Sequence, residues 1–560
     1  MSRIRKIRLY SSAALVAGVV AVAMIAGNAF AATSAIATSH TFIDLETSLS
    51  FTLDSANNTS VSGEYQVASW DSTLVRPAGT SVPGKPLPPM NDVLPFLATK
   101  WKLTPKGVVF TLRSGVKSSW GNPLTVADVV WSFQRACVAD GNASFFFGLI
   151  NAPVVYDKNF NATCPQIITP MGGLTFRVNQ TAPSPYTLGS FTALNFQIFD
   201  AKEAKLHATA GDPWALKWLN HVTASFGPYE VKDGDFTPSQ KIILTANPYY
   251  WDAKDVYYKT VVLDYVPNTY NEQELLARGE ASHSENVSYD QFNALKKLPN
   301  IRAFLLPSGN SERVSFFLKN AAWDNVNVRK AISEGINRAQ IVKTIFAGDA
   351  TVDCYPIPNT YSLPFKDPCD EPYNPTDAKK LLAAAGYTAS NPLEFTMSST
   401  VGDSGPYITP EMELVQSQMA AIGVKMDINI VPNTDTYNTN DYIPIVAYST
   451  TLDAGGTSFT DGGLDEELLY NTDIFPGTYI DGVQGYTNPT MLAEVRQMLK
   501  TTSKATYNAD VKAFAYQLAA SYMQANVVEI PEQVVSAAGI TGYESYYSPI
   551  MYYDLLHPGS

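Results

Sequence analysis

The chain predicts an α/β fold divided into two or three domains, and three observations carry that expectation. Segments with the period-2 pattern of strands alternate with segments of helical period from residue 101 to the C-terminus. At 560 residues the chain is too long for a single hydrophobic core. The Pro/Gly-rich stretch 76–95 (RPAGTSVPGKPLPPMNDVLP) follows neither period and reads as a connecting loop. No internal repeat or heptad run is visible.

The best-marked unit spans 101–135, WKLTPKGVVFTLRSGVKSSWGNPLTVADVVWSFQR. Val108, Phe110 and Leu112 alternate with Val109, Thr111 and Arg113, as in a strand with one buried face. Thr125 then offers a helix cap, with Asp128 three residues on to complete a capping box. Val129, Val130, Phe133 and Ala136 follow on one helical face. A second block, 226–267, gives a strand at 241–245 (KIILT), then NPYYWDAKDVYYKTVVLDYVP; Tyr249, Tyr250 and Trp251 are read as core. A third begins at Ser315, where SFFLKN reads as a strand. Asn325–Ile336 reads as a helix with Val328, Ala331, Ile332, Gly335 and Ile336 on one face, and Asn337 caps the next helix, which stops at Gly348. Asn374 caps another, with Pro375 at its first position and Gly386 at its end. The segment Tyr486-Thr487-Asn488-Pro489 opens two amphipathic helices.

The first residues read as an export signal. Arg3, Arg5, Lys6 and Arg8 form a basic region before an apolar run, and Ala29-Phe30-Ala31 gives the small-x-small pattern of a signal peptidase site. Residues 1–31 are therefore expected to be a signal peptide, or else an uncleaved N-terminal anchor, since the run is about long enough to span a bilayer. Without them the chain carries 35 Lys+Arg (39 less four) against 52 Asp+Glu, a charge of −17. That excludes nucleic acid as a partner, which needs a basic footprint. Cys137, Cys164, Cys354 and Cys369 make an even count for an exported chain, and their spacing favours disulfides 137–164 and 354–369 among three possible connectivities. With no CxxC and five scattered histidines, no metal site or cofactor is expected. Gly402-Asp403-Ser404-Gly405-Pro406 is one glycine short of a serine-protease loop, but His40, His207, His221, His283 and His557 all lack the setting of a catalytic base. There is no HExxH for a zinc hydrolase.

The word order is more specific than the periodicities. "FTLR-x-GVK … PLTxxDVVxSFxR", "FGPY", "NPYYW", "NVRKAISEGINR" and "NPTDAKKLLAAAGY" occur in this order along the chain. Together they resemble the signatures of family 5 solute-binding proteins, the extracellular receptors of ABC importers. Where that family continues with an Asp after "SGE", this chain reads GEASHSENVS. The resemblance implies a two-lobed periplasmic-binding-protein fold of type II, with an extra subdomain in the first lobe. Lobe I would comprise 40–304 plus 528–560, with 77–221 as the subdomain; lobe II would be 305–527, and the crossings would fall near 305–315 and 527–531. It also implies no catalysis, a monomer outside the cytoplasmic membrane, and a membrane permease as partner. The ligand would be a peptide, or alternatively an oligosaccharide. A secreted hydrolase or a surface structural protein is the remaining alternative class.

Peptide-binding relatives hold the ligand's amino group with an Asp in a loop after a Trp-Ser strand. The matching stretch here is 443–459, IPIVAYSTTLDAGGTSF, in which Asp453 is the only acid, one position off the pattern, and Tyr448 stands for the Trp. A loop Asp bonding its own turn is the competing reading. Aromatic residues make up 12% of the chain. Trp70, Tyr448 and Phe459 are the cleft candidates, because the family places ligand-facing loops there; core packing is the alternative for each.

Overall fold

The computed structural model describes residues 36–57, 66–78, 85, 91–140, 143–156, 162–284, 287–308, 310–316, 321–353, 373–400, 406–431, 450–455, 488–543 and 551–559. The expected signal segment, Cys354, Cys369, Tyr448, Phe459 and the segment around Ser404 lie outside them. Among the described residues no helix is long and apolar enough to cross a membrane.

Two mixed sheets organise the molecule. In the first, Thr41–Glu46 lies parallel to both Thr260–Tyr265 and His283–Ser284. Lys241–Ala246 pairs antiparallel outside Thr260–Tyr265, while Glu532–Ala537 and Ile301–Leu306 complete the other edge. The second sheet runs Thr351–Val352, Gln524–Glu529, Ser311–Ser315, Thr450–Gly455, Glu394–Thr400 and Lys425–Val431. Two chain crossings connect the sheets side by side. Ile301–Leu306 pairs with Glu532–Ala537 in the first sheet, and their continuations Ser311–Ser315 and Gln524–Glu529 pair in the second. Between the ladders the amide of Ile530 donates to the Asn310 carbonyl at 2.9 Å, and the Ser308 hydroxyl donates to the Ile530 carbonyl. Hydrogen bonds thus tie the two crossings to each other between the ladders.

A third, antiparallel sheet carries the segment 101–135. Ala98–Thr104, Gly107–Leu112, Thr175–Asn179 and Ile168–Gly172 follow in order, backed by the helix Val126–Ala139. Gly107 is required at its turn. Its φ is +126°, and a Cβ there would sit 1.9 Å from the Val178 carbonyl oxygen. The capping expectation holds: the Asp128 carboxylate accepts from the Thr125 amide at 2.8 Å and its hydroxyl at 2.7 Å. Asp128 also accepts from the Ala201 amide at 3.0 Å, tying two helices together. Cys137 and Cys164 form a disulfide that pins the end of this helix. Asn325, Asn337, Asn374 and Asn488 cap the helices Val326–Gly335, Arg338–Thr344, Pro375–Ala384 and Pro489–Met498.

Three expectations change. The stretch 76–95 is not wholly a loop, because Val75–Pro77 and Val93–Pro95 pair as a short ribbon. The strand expected from Ser315 ends there instead; Ser311–Ser315 is the strand, held between two neighbours that satisfy its backbone. Of the expected core trio, Tyr250 is buried but Tyr249 is 48% exposed, and Trp251 is covered on one face by the Arg113 guanidinium, 3.8 Å from the ring centroid.

Candidate ligand-binding cleft

The second sheet presents an unusual centre. Ser311–Ser315, SERVS, is buried at every position, yet only Val314 is apolar. Buried polar side chains require partners, and Ser311 finds them in Asp353 and Asn526. Arg313 lies opposite Asn526 on one side and Asp453 on the other. The Asp353 carboxylate accepts from the Ser311 hydroxyl at 2.6 Å and from the Asn526 amide at 3.0 Å. Arg338 in turn donates from Nε to the Asn526 and Asp353 carbonyls, at 2.6 and 3.2 Å. Asp453 therefore sits in the strand Thr450–Gly455, not in a loop, because pairing with Ser311–Ser315 continues through it.

Where the crossings enter the second sheet, aromatic and acidic side chains from both lobes meet. Tyr289, on the first-sheet helix Tyr289–Leu295, packs edge-on to Phe346 at 5.1 Å, and Phe346 contacts Tyr407 at 5.0 Å. The Tyr289 hydroxyl donates to the carbonyl of Pro531, in the second crossing, at 3.4 Å. Asn293 of the same helix reaches Asp349 at 3.3 Å. Beside them stands Glu411, on the helix Ile408–Ala421. Both its carboxyl oxygens are buried with no hydrogen-bond partner among the described residues, and burial pushes it up to about 8. Burial, followed by the charges of Glu312, Tyr289 and Glu411, also raises the Tyr407 hydroxyl. Glu411 is accordingly neutral at pH 7, so this junction carries less negative charge than its composition suggests.

In the first lobe the buried polar groups are scaffold. Arg135 pairs with Asp54, and its Nε donates to the Trp214 carbonyl at 3.2 Å. Asp71 and Asp140 crowd the same guanidinium. Burial first, then the nearby Asp54, pushes Asp71 well up and Asp140 up to about 6, although an Asn195 hydrogen bond opposes the latter. Trp70 belongs here as well. It is fully buried and donates its indole N–H to the Leu53 carbonyl at 3.2 Å, so its ring is packing, not cleft wall. A cavity of about 320 Å³ beneath the Val75–Pro77 ribbon is lined by Arg76, Phe96, Tyr250 and Trp251. Its guanidinium is already held by Asp554 at 2.9 Å.

Sequence reasoning missed Tyr289, Glu312, Tyr407 and Glu411. A charged pair inside a five-residue central strand was the available signal for the first group of contacts. For Glu411 there was none, since a Glu one turn into a helix is ordinary.

The model for bacterial extracellular solute-binding proteins, family 5 (middle region), matches residues 92–462. The chain belongs to that family. Heme-binding protein A of Haemophilus influenzae is 26% identical over 362 residues, 63% of this chain and 63% of that protein. The matched segment thus spans slightly under two thirds of that family member. Among solved structures, DppA of Helicobacter pylori in complex with the peptide STSA superposes with a TM-score of 0.76 at 18% identity, covering 93% of this chain and 98% of that one. The murein tripeptide binding protein MppA of Escherichia coli gives 0.77 at 18%, covering 92% and 98%. A structure of MppA in its unliganded open form gives only 0.63, at 17% identity and 93% and 98% coverage. At such identities the likeness is one of fold, and this family member has the two-lobed α/β architecture of these proteins without a catalytic role.

Proposed function

We propose that this chain is the extracellular receptor of an ABC importer, capturing peptides by closure of two lobes and delivering them to a membrane permease. The double crossing carries the reading: two sheets joined by one hydrogen-bonded ribbon can change their mutual angle without breaking either sheet. Lobe I is assigned 40–304 plus 528–560, with 77–221 as its extra subdomain, and lobe II 305–527. Residues 1–31 are assigned to export or anchoring at the outer face of the membrane, and the receptor acts as a monomer.

Peptide is favoured over oligosaccharide by the central row of the second sheet. The ladder sets an acidic residue, Asp453, opposite a basic one, Arg313, which suits an extended ligand with charged termini. Asp453 is assigned to the ligand's amino group, with Tyr448 and Phe459 as cleft aromatics. Thermal shift against peptide and oligosaccharide libraries tests the reading. Peptides are expected to raise the melting temperature by mass action. Stabilisation by oligosaccharides alone would move the ligand to the other class, and no shift with any solute would remove the receptor role.

A further inference from the structure

The helices Pro489–Met498 and Lys504–Ser521 grip both lobes at once. Toward the second sheet, Arg329 donates from Nε to the Tyr522 carbonyl at 3.0 Å and from Nη2 to the Ser521 carbonyl at 2.6 Å. Toward the extra subdomain, the Asn151 amide donates to the Leu499 carbonyl at 2.7 Å, and the Tyr186 and Tyr507 hydroxyls lie 3.2 Å apart. The apolar side of the pair faces the same way. Met491, Val495, Phe514 and Leu518 belong to the buried cluster of the first sheet and subdomain, not to the one around Trp323.

Asn151 is shaped for this contact. Its φ of +51° is left-handed, which asparagine tolerates better than most residues. Its carbonyl is fixed by the Thr181 amide at 2.8 Å and hydroxyl at 3.1 Å. Leu499 closes the first helix, where the last carbonyls have no partner within the helix. A side chain from the subdomain therefore supplies the missing donor. Tyr186 is buried, and its ring meets that of Tyr507 edge-on at 5.9 Å. None of these contacts uses the strand Thr450–Gly455 or the crossings.

We infer that this helix pair is a brace holding the two lobes together without ligand, with Asn151, Tyr186 and Tyr507 as positioning residues that set affinity without touching ligand. The inference rests on the two-lobe receptor reading. A closing receptor's apparent affinity scales with the fraction of molecules already able to close. Contacts that hold the lobes together independently of ligand therefore tune binding for every ligand alike, which leaves the central row to discriminate between ligands.

The test uses the mature protein with spin labels on Lys106→Cys and Lys379→Cys, two exposed positions, one in the subdomain and one in lobe II. Double electron–electron resonance then reads the interlobe distance. Unliganded protein is expected to show a short and a long population. Tyr507→Phe, which keeps the ring contact, lowers the short-to-long ratio about fivefold, the equivalent of one neutral hydrogen bond. Asn151→Ala lowers it further by orphaning the Leu499 carbonyl. Distributions that superimpose on the parent in both variants overturn the brace, including the case in which every unliganded sample shows only the long distance. If Asn151→Ala does not fold, Tyr507→Phe alone decides. A pool of synthetic tripeptides added to the parent separates the two claims. If it changes nothing while the variants still shift the ratio, the brace stands and the receptor reading falls.

Discussion

Replacing Glu411 by Gln should flatten the pH dependence of stability, and the size of the effect follows from its burial. The carboxyl has an ordinary value of 4.5 and is pushed up to about 8 in the fold, because both oxygens are buried away from water and from hydrogen-bond donors among the described residues. The folded state therefore holds this proton more tightly than the unfolded chain does. Below about pH 4.5 both states are protonated and the group has no effect on stability. As pH rises from there toward about 8, only the unfolded chain gains by ionising, so stability falls. At about 1.4 kcal/mol per pH unit, the interval from 4.5 to 7 amounts to about 3 kcal/mol. Glu411→Gln keeps the shape and cannot ionise. Urea unfolding of the mature protein followed by circular dichroism at pH 4, 5, 6, 7 and 8 should show the variant gaining on the parent by up to about 3 kcal/mol at pH 7 and by nothing at pH 4. Parallel profiles would refute the reasoning, because they would mean that Glu411 is ionised in the folded protein and has a partner.

Asp54→Asn should cost about 3–5 kcal/mol of stability by leaving Arg135 buried without its counter-charge; thermal unfolding checks this against the more tolerant Lys241→Gln, whose pair with Asp264 is exposed. Cys137→Ser with Cys164→Ser should lose about 3 kcal/mol, as expected for a closed loop of 27 residues, and dithiothreitol should then have no further effect at this site. Gly107→Ala should fail to accumulate as folded protein, since its Cβ meets backbone and not a movable side chain. Asp453→Asn should weaken peptides with a charged amino terminus at least tenfold in calorimetry while leaving N-acetylated peptides unaffected; equal loss for both would remove Asp453 from amine recognition.

Local grammar made much of the fold legible. Thr125, Asn337 and Asn374 each combine a capping side chain with a following apolar face, and each caps the helix it announced, whereas Asn325, read as the first residue of its helix, turns out to be its cap. Cys137–Cys164 was readable from spacing in the same way. Legibility failed where long-range pairing decides. Ser311–Ser315 has no alternation to mark it as a strand, because both of its faces are buried and Ser311 finds its partners in Asp353 and Asn526, far away in the chain. Asp453 was read as a loop residue for the same reason: its strand exists through long-range ladders with Ser311–Ser315 and Glu394–Thr400. Trp70 shows the reverse case. An aromatic near the cleft in sequence order is drawn into the core once its indole finds the Leu53 carbonyl. The junction around Glu411 was invisible, since its character arises from Tyr289 and Phe346 converging from opposite lobes.

The central claim is that the two lobes close on a peptide. Isothermal titration calorimetry of the mature chain with synthetic peptides of two to eight residues, repeated at three temperatures, tests it most directly. The account predicts binding of one peptide per chain with a negative heat-capacity change, as apolar surface is buried between the lobes. Titrations without heat for every peptide, at protein concentrations where the chain is folded, would contradict it.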